Sequence, residues 1–175
     1  MFALHMPKGL KSNSGMLVIG ASANETAPNT LTTIEVNLAL NALDNEVFVV
    51  TAVDIDAQVP DPNAGAIVSS NAWVTKQDPN GVRPRFSDSN VIATKTIATD
   101  DRLGTAPVGF ETSSMESPAT DMEYLNIIAT PDFYLSVIGD NTTKEVGSAI
   151  KLYGYRAKAD AATYAALVQS EVLSS

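Results

Sequence analysis

A chain of 175 residues, close to half of them apolar, can bury a core without disulfides or a structural metal. It has no cysteine, which excludes thiol catalysis and cysteine-ligated zinc. Its 20 acids outnumber 11 bases for a net charge of −9, and the bases are scattered, so no specific nucleic-acid binding is expected.

Residues 1–15 read as an N-terminal arm. Pro7, Lys8 and Lys11 break any apolar run of the length a secretory leader needs, so synthesis in soluble form in the cytoplasm is expected. Met16–Ile19 is a short apolar run closed by Gly20, and residues 22–29 carry the Asn and Pro of a loop. From Thr32 to Asp56 the letters TTIEVNLALNALDNEVFVVTAVDID alternate apolar and polar on both sides of Leu43-Asp44-Asn45. Period two marks half-buried strands, and the central Asp-Asn marks a turn. The stretch is therefore expected to be an antiparallel hairpin, with Ile34, Val36, Leu38 and Leu40 inward on one arm. Val47, Val49, Thr51, Val53 and Ile55 are the inward set expected on the other.

Pro60 to Gly65 is a breaker cluster, and Ala66–Thr75 is the next expected strand, with the only tryptophan, Trp73. Strands are expected again over residues 91–98, 108–112, 122–129, 133–138 and 149–157, parted by turn signals such as Asp78-Pro79-Asn80-Gly81 and Gly139-Asp140-Asn141. This makes about nine short strands, the spacing of an all-β sandwich or barrel rather than of βαβ units. At the end, Asp160 can cap a helix over residues 161–171 with Tyr164, Leu167 and Val168 on one stripe. So short a helix is marginal alone and must dock on this domain or on a neighbour.

Reactive groups are sparse. His5 is the sole histidine and lies in the arm, and no nucleophile elbow, zinc-protease or phosphate-loop motif occurs. The expectation is that this is not an enzyme. The sharpest constellation is DIDAQVPDPNAG, where Asp54 and Asp56 leave one strand face and Asp61 returns toward them. Calcium takes six to eight such oxygens from flexible loops. The same residues also read as a solvated strand edge and a proline turn. No other cofactor is indicated.

Sequence regularity without a convergent reactive site suggests a protein that works by touching copies of itself or a partner. The C-terminal third, YLNIIATPDFYLSVIGDNTTKEVGSAIKLYGYRAKADAATYAALVQSE, resembles the closing strands of a virion coat protein. In pattern, over roughly Leu31 to Glu171, the chain is similar to the single jelly-roll capsid proteins of tailless bacterial and archaeal viruses. That resemblance implies a jelly-roll-like antiparallel β-sandwich of eight or nine strands, with an arm at 1–15, a sandwich at 16–159 and a C-terminal helix at 160–175. It also implies a structural subunit located in the virion, self-assembling into an icosahedral-type shell with copies of itself and other virion proteins, and an arm able to meet an internal membrane. Subunit contacts are then expected at Leu10, Tyr164, Leu167 and Val168. A phage head decoration protein, or a carbohydrate- or receptor-binding sandwich with calcium, would share this outline.

Overall fold

The computed structural model describes residues 7–114 and 122–173. They form ten strands and one helix: β1 Leu10–Ser12, β2 Leu17–Asn24, β3 Thr32–Asn37, β4 Glu46–Ala57, β5 Ile67–Thr75, β6 Val91–Asp100, β7 Val108–Ser113, β8 Asn126–Ile128, β9 Asp132–Asp140, β10 Gly147–Ala159 and α1 Ala161–Leu173. Two antiparallel sheets face each other. One runs β1–β10–β4–β8, with β2 also on β10, and the other runs β3–β9–β5–β6–β7.

The pairings are nested. β2 pairs β10, β3 pairs β9, β4 pairs β8 and β5 pairs β6, so the outermost strands in sequence meet, then the next pair inward. A long hairpin rolled across two layers gives this order, which is that of a jelly roll. The fold class expected from the sequence is therefore present, with β1 as an added short strand.

The expected hairpin over residues 32–56 is not. β3 pairs β9 in one sheet while β4 pairs β10 and β8 in the other. Residues 38–45 carry the chain across the end of the sandwich instead. The Leu38 amide bonds to the Pro131 carbonyl, and one turn of 3-10 helix over Ala42–Asp44 closes on Asn45 in the left-handed region at φ 52°. Asp and Asn make a turn there as expected, but it joins layers rather than neighbouring strands.

The expected inward face of β4 also needs correction. Register slips by one residue where Tyr153 faces Ala52 and Gly154 faces Val50, leaving Thr51 as the extra residue of a bulge. One inserted residue inverts a period-two pattern. Phe48 and Val50 before the bulge and Val53 and Ile55 after it face the other sheet, with Ala72, Val74, Phe133, Leu135, Val137, Ile150 and Leu152. Val47 and Val49 point the opposite way, into a second cluster with Tyr155, Ala157 and Ala159. Gly154 sits at the phase change because a Cβ there would run into the Val49 carbonyl oxygen and the Phe48 ring.

That second cluster lies on the outer face of the sheet, where α1 covers it with Tyr164, Leu167 and Val168, joined by Leu10 from β1. Asp160 caps the helix, its carboxylate accepting the Thr163 amide at 2.7 Å. That amide bond holds the Asp160 carboxyl below the usual carboxylate range. Beyond the arm's β1, Asn13 and Ser14 are stitched to Arg156 of β10 by backbone and hydroxyl bonds.

Candidate functional site

Buried carboxylates are the first place to look for chemistry, because desolvation of an acid is costly without a purpose. Glu25, Glu46 and Glu171 are all buried. Glu25 accepts the amides of Thr30, Gly139 and Val146. Glu46 accepts the Asn41 amide and the Asn13 side chain, with Arg156 at 3.7 Å. Glu171, on the buried side of α1, accepts the amides of Ala129 and Thr130. Each acid satisfies backbone donors in loops or at a strand end, which is structural work. Nothing in the local sequence marks these three among 20 acids.

The residues singled out for calcium do not meet. Asp54 and Asp56 lie on the outer face of β4, where Asp54 accepts the Tyr153 hydroxyl at 3.0 Å. That bond raises the Tyr153 pKa above the ordinary phenol value. Asp61 is paired with Lys144 at 2.7 Å, and the nearby Asn63 amide donates to the Asn141 carbonyl. Among the described residues no three carboxylate or histidine side chains converge as a metal site would require. The partner of Asp61 lies 83 positions away in sequence, which alternation along one strand cannot reveal. His5 lies outside the described residues.

The expected contact residues are already engaged within the chain. Tyr164, Leu167, Val168 and Leu10 are partly buried on the outer cluster. What α1 turns outward near its end is Val172 and Leu173, 58% and 76% exposed.

A constellation that sequence reading missed lies on the outer face of the other sheet. The guanidinium of Arg83 sits 5.2 Å over the Trp73 ring and grips Asp140 with two bonds of 3.0 and 2.9 Å. Asp140 also accepts from Ser69 and Asn71, and the Asn71 side-chain oxygen accepts the Thr96 hydroxyl. The loop between β5 and β6 thereby folds down over the sheet, and beside it opens a cleft of about 410 Å³ lined by polar side chains that include Gln77, Asp78, Asn80 and Asp88. The isolated tryptophan and the Asp78-Pro79-Asn80-Gly81 turn were visible signals, but not their joining through Arg83.

A larger cleft, about 610 Å³, opens where the sheets part between β4 and β6. β8 reaches only Phe48–Val50 of β4, so Val53, Ile55 and Ile150 line its floor with Lys95 at the rim. Lys95 is tied to Glu111 of β7 at 2.8 Å. Among the described residues no helix is long and apolar enough to cross a membrane. No protein-family model matches this chain, and no curated protein matches it in sequence.

Proposed function

We propose that this chain is a structural virion protein, a capsid subunit of the single jelly-roll kind that self-assembles into an icosahedral-type shell. The observation that supports this reading best is the use made of its buried polar groups. The three buried glutamates tie loops to β9, β4 and α1, and fully satisfied buried polar groups of this kind rigidify a fold. Shell building needs such stiffness, because weak contacts repeated by symmetry add up only if each subunit presents them in fixed geometry. The partners are copies of the chain and other virion proteins, the location is the virion, and the N-terminal arm is the segment that would meet an internal membrane.

Negative-stain microscopy of the concentrated recombinant protein tests the proposal. Closed particles or regular capsomers of uniform size are expected. Dispersed single subunits at every concentration and salt would refute it, and attachment only to preformed heads would identify a decoration protein instead.

The second reading is a carbohydrate- or receptor-binding module. The polar cleft beside Arg83 favours it, since amides, carboxylates and hydroxyls in one depression suit a polyhydroxylated ligand. Glycan-array binding that is lost in Asn80→Ala and Asp88→Ala, without particle formation, would favour this module over the coat.

A further inference from the structure

Each sheet of an open sandwich ends in strands with one row of unsatisfied backbone groups, and proteins normally guard such edges with charge, proline, a bulge or shortness. Among the described residues five strands lie at the sheet edges, and β4 is open beyond β8 as well. β1 and β8 are three residues long, β3 carries Glu35, β7 carries Glu111, and the open stretch of β4 carries Asp54 and Asp56. The remaining edge strand is different. β2, Leu17–Asn24, runs eight residues as LVIGASAN, with neither charge nor proline. It pairs with β10 in unbroken register, and among the described residues no other strand lies on its far side.

Three further observations bear on β2. Its outward positions include Val18, Gly20 and Ser22, a flat strip, with Val18 55% exposed. Its inward side chains Leu17, Ile19 and Ala21 belong to the core yet are only partly buried, as are Ile34 and Val36 of the adjacent β3. The core is therefore incompletely closed along this flank. Finally, copies of a chain with net charge −9 repel each other except across neutral surface, and β2 is the longest edge free of charge.

We propose that β2 is the strand through which two copies of this chain join, antiparallel about a twofold axis. This rests on the reading of the chain as a self-assembling subunit and specifies where the first contact is made. Side chains opposite each other in an antiparallel pair share a face, and the axis can pass midway between a residue and its own copy. Centring it on Gly20 sets Val18 against Ser22 of the second copy and pairs residues 17–23. Gly20 against Gly20 leaves nothing to clash at the axis. The paired edge spans about 24 Å at roughly 3.4 Å per residue, and the same approach brings the two open flanks together and covers Leu17, Ile19 and Ala21. A second copy of this chain presents the same uncharged strip, so this pairing sets no like charges opposite each other along the ladder.

The chain has no cysteine, so single introduced thiols report on the geometry cleanly. A Cβ at Gly20 meets only the Ile150 carbonyl, at 3.9 Å, so Gly20→Cys should fold normally. Across the proposed axis its Cα atoms would be about 4.5–5.5 Å apart, within disulfide range. Under mild oxidation the Gly20→Cys protein is expected to become a covalent dimer. A control thiol at Leu103, 89% exposed on a loop, should stay monomeric. The double variant Val18→Lys/Ser22→Lys places like charges opposite each other twice and should raise the dimer dissociation constant about tenfold or more in sedimentation analysis. Trp73 fluorescence confirms that each variant is folded. Cross-linking of Gly20→Cys no faster than Leu103→Cys, or association unchanged by the lysine pair, overturns the proposal. If particles still form in that case, the coat reading survives with a different contact; if the Gly20 dimer forms and particles never do, the contact holds and the coat reading falls.

Discussion

Glu171 of α1 and Ala129, just after β8, are joined by a hydrogen bond of 2.9 Å from the Ala129 amide to the glutamate carboxylate. The partner oxygen takes the Thr130 amide at 3.0 Å, and Glu171 is 1% exposed. A helix whose visible stripe is apolar is thus anchored by its one acid. The side-chain amide of Gln77 adds a bond to the Glu171 carbonyl.

Glu171→Ala strands two amides without acceptors beneath the helix. Each buried unsatisfied donor costs about 1–3 kcal/mol, so a loss near 3 kcal/mol is expected, read as a lower urea midpoint. Glu171→Gln should recover only part of it, because the amide group turns a donor toward one of the two N–H groups. Equal stability of Glu171→Ala and the parent protein would show that the anchor carries no weight.

At Gly154 the phase of the sandwich changes, and backbone and ring leave no room for a methyl group. Gly154→Ala forces either the β4 bulge or the Phe48 ring to shift, and overpacking of this kind costs about 1–3 kcal/mol. The control is Gly20→Ala, whose added atom meets nothing closer than 3.9 Å. A thermal melt should separate the two by several degrees.

These sites show where sequence reading stops. Most strands were legible because alternation is a local property, and the helix was legible from its i, i+3, i+4 stripe and the Asp160 cap. Partnership between strands is not local: nothing in the letters around Ile34 says that it pairs Leu135 rather than the β4 run. The bulge at Thr51 is a single uncounted residue, yet it reverses Val47 and Val49. The surroundings of the Asp54, Asp56 and Asp61 set were hidden for the same reason, since Asp61 finds Lys144 across 83 positions. The domain's outline was visible; its wiring depended on contacts between distant segments.

Trp73 offers a direct readout of the Arg83 clamp, being the only tryptophan and 6% exposed. Arg83→Ala removes the stacked guanidinium and should shift the emission to longer wavelength. Its effect on stability should be small, about 1 kcal/mol or less, because both partners of the ion pair are well exposed. Asp140→Ala should cost more, about 1–2 kcal/mol, since Ser69 and buried Asn71 lose an acceptor along with Arg83. The reverse ranking would mean the charge pair, not the neutral network, holds the loop down.

Acid should loosen α1 before the sandwich. The Thr163 amide depresses the pKa of Asp160 in the folded chain, so its contribution is fully present above the ordinary carboxylate value. The contribution then fades as pH falls through the depressed value. Asp160→Asn keeps a capping oxygen but cannot titrate. The melting temperatures of the parent and Asp160→Asn proteins should therefore converge as pH drops from about 6 to about 3. A constant difference across that window would assign the acid response to another group.

Truncation after Ala159 decides whether α1 belongs to its own subunit. In the chain the helix stripe shields Val47, Val49, Tyr155 and Ala157, and burial of that kind contributes about 1 kcal/mol or more for each half-covered side chain. Removing residues 160–175 should therefore lower the melting temperature of the dispersed subunit by about 10 °C, on the scale of 2–4 °C per kcal/mol for a domain this size. It should also create a surface that binds a hydrophobic dye. Leu167→Ala with Val168→Ala should reproduce a smaller part of both effects without shortening the chain. If instead the truncated subunit melts like the parent and loses only the ability to form particles, the helix serves a neighbour. Leu10, Tyr164, Leu167 and Val168 would then be lattice contacts in the sense the sequence first suggested. The two outcomes are distinguishable on unassembled protein, because a helix docked on its own sheet stabilises the subunit at any dilution, whereas one docked on a neighbour loses its effect as concentration falls.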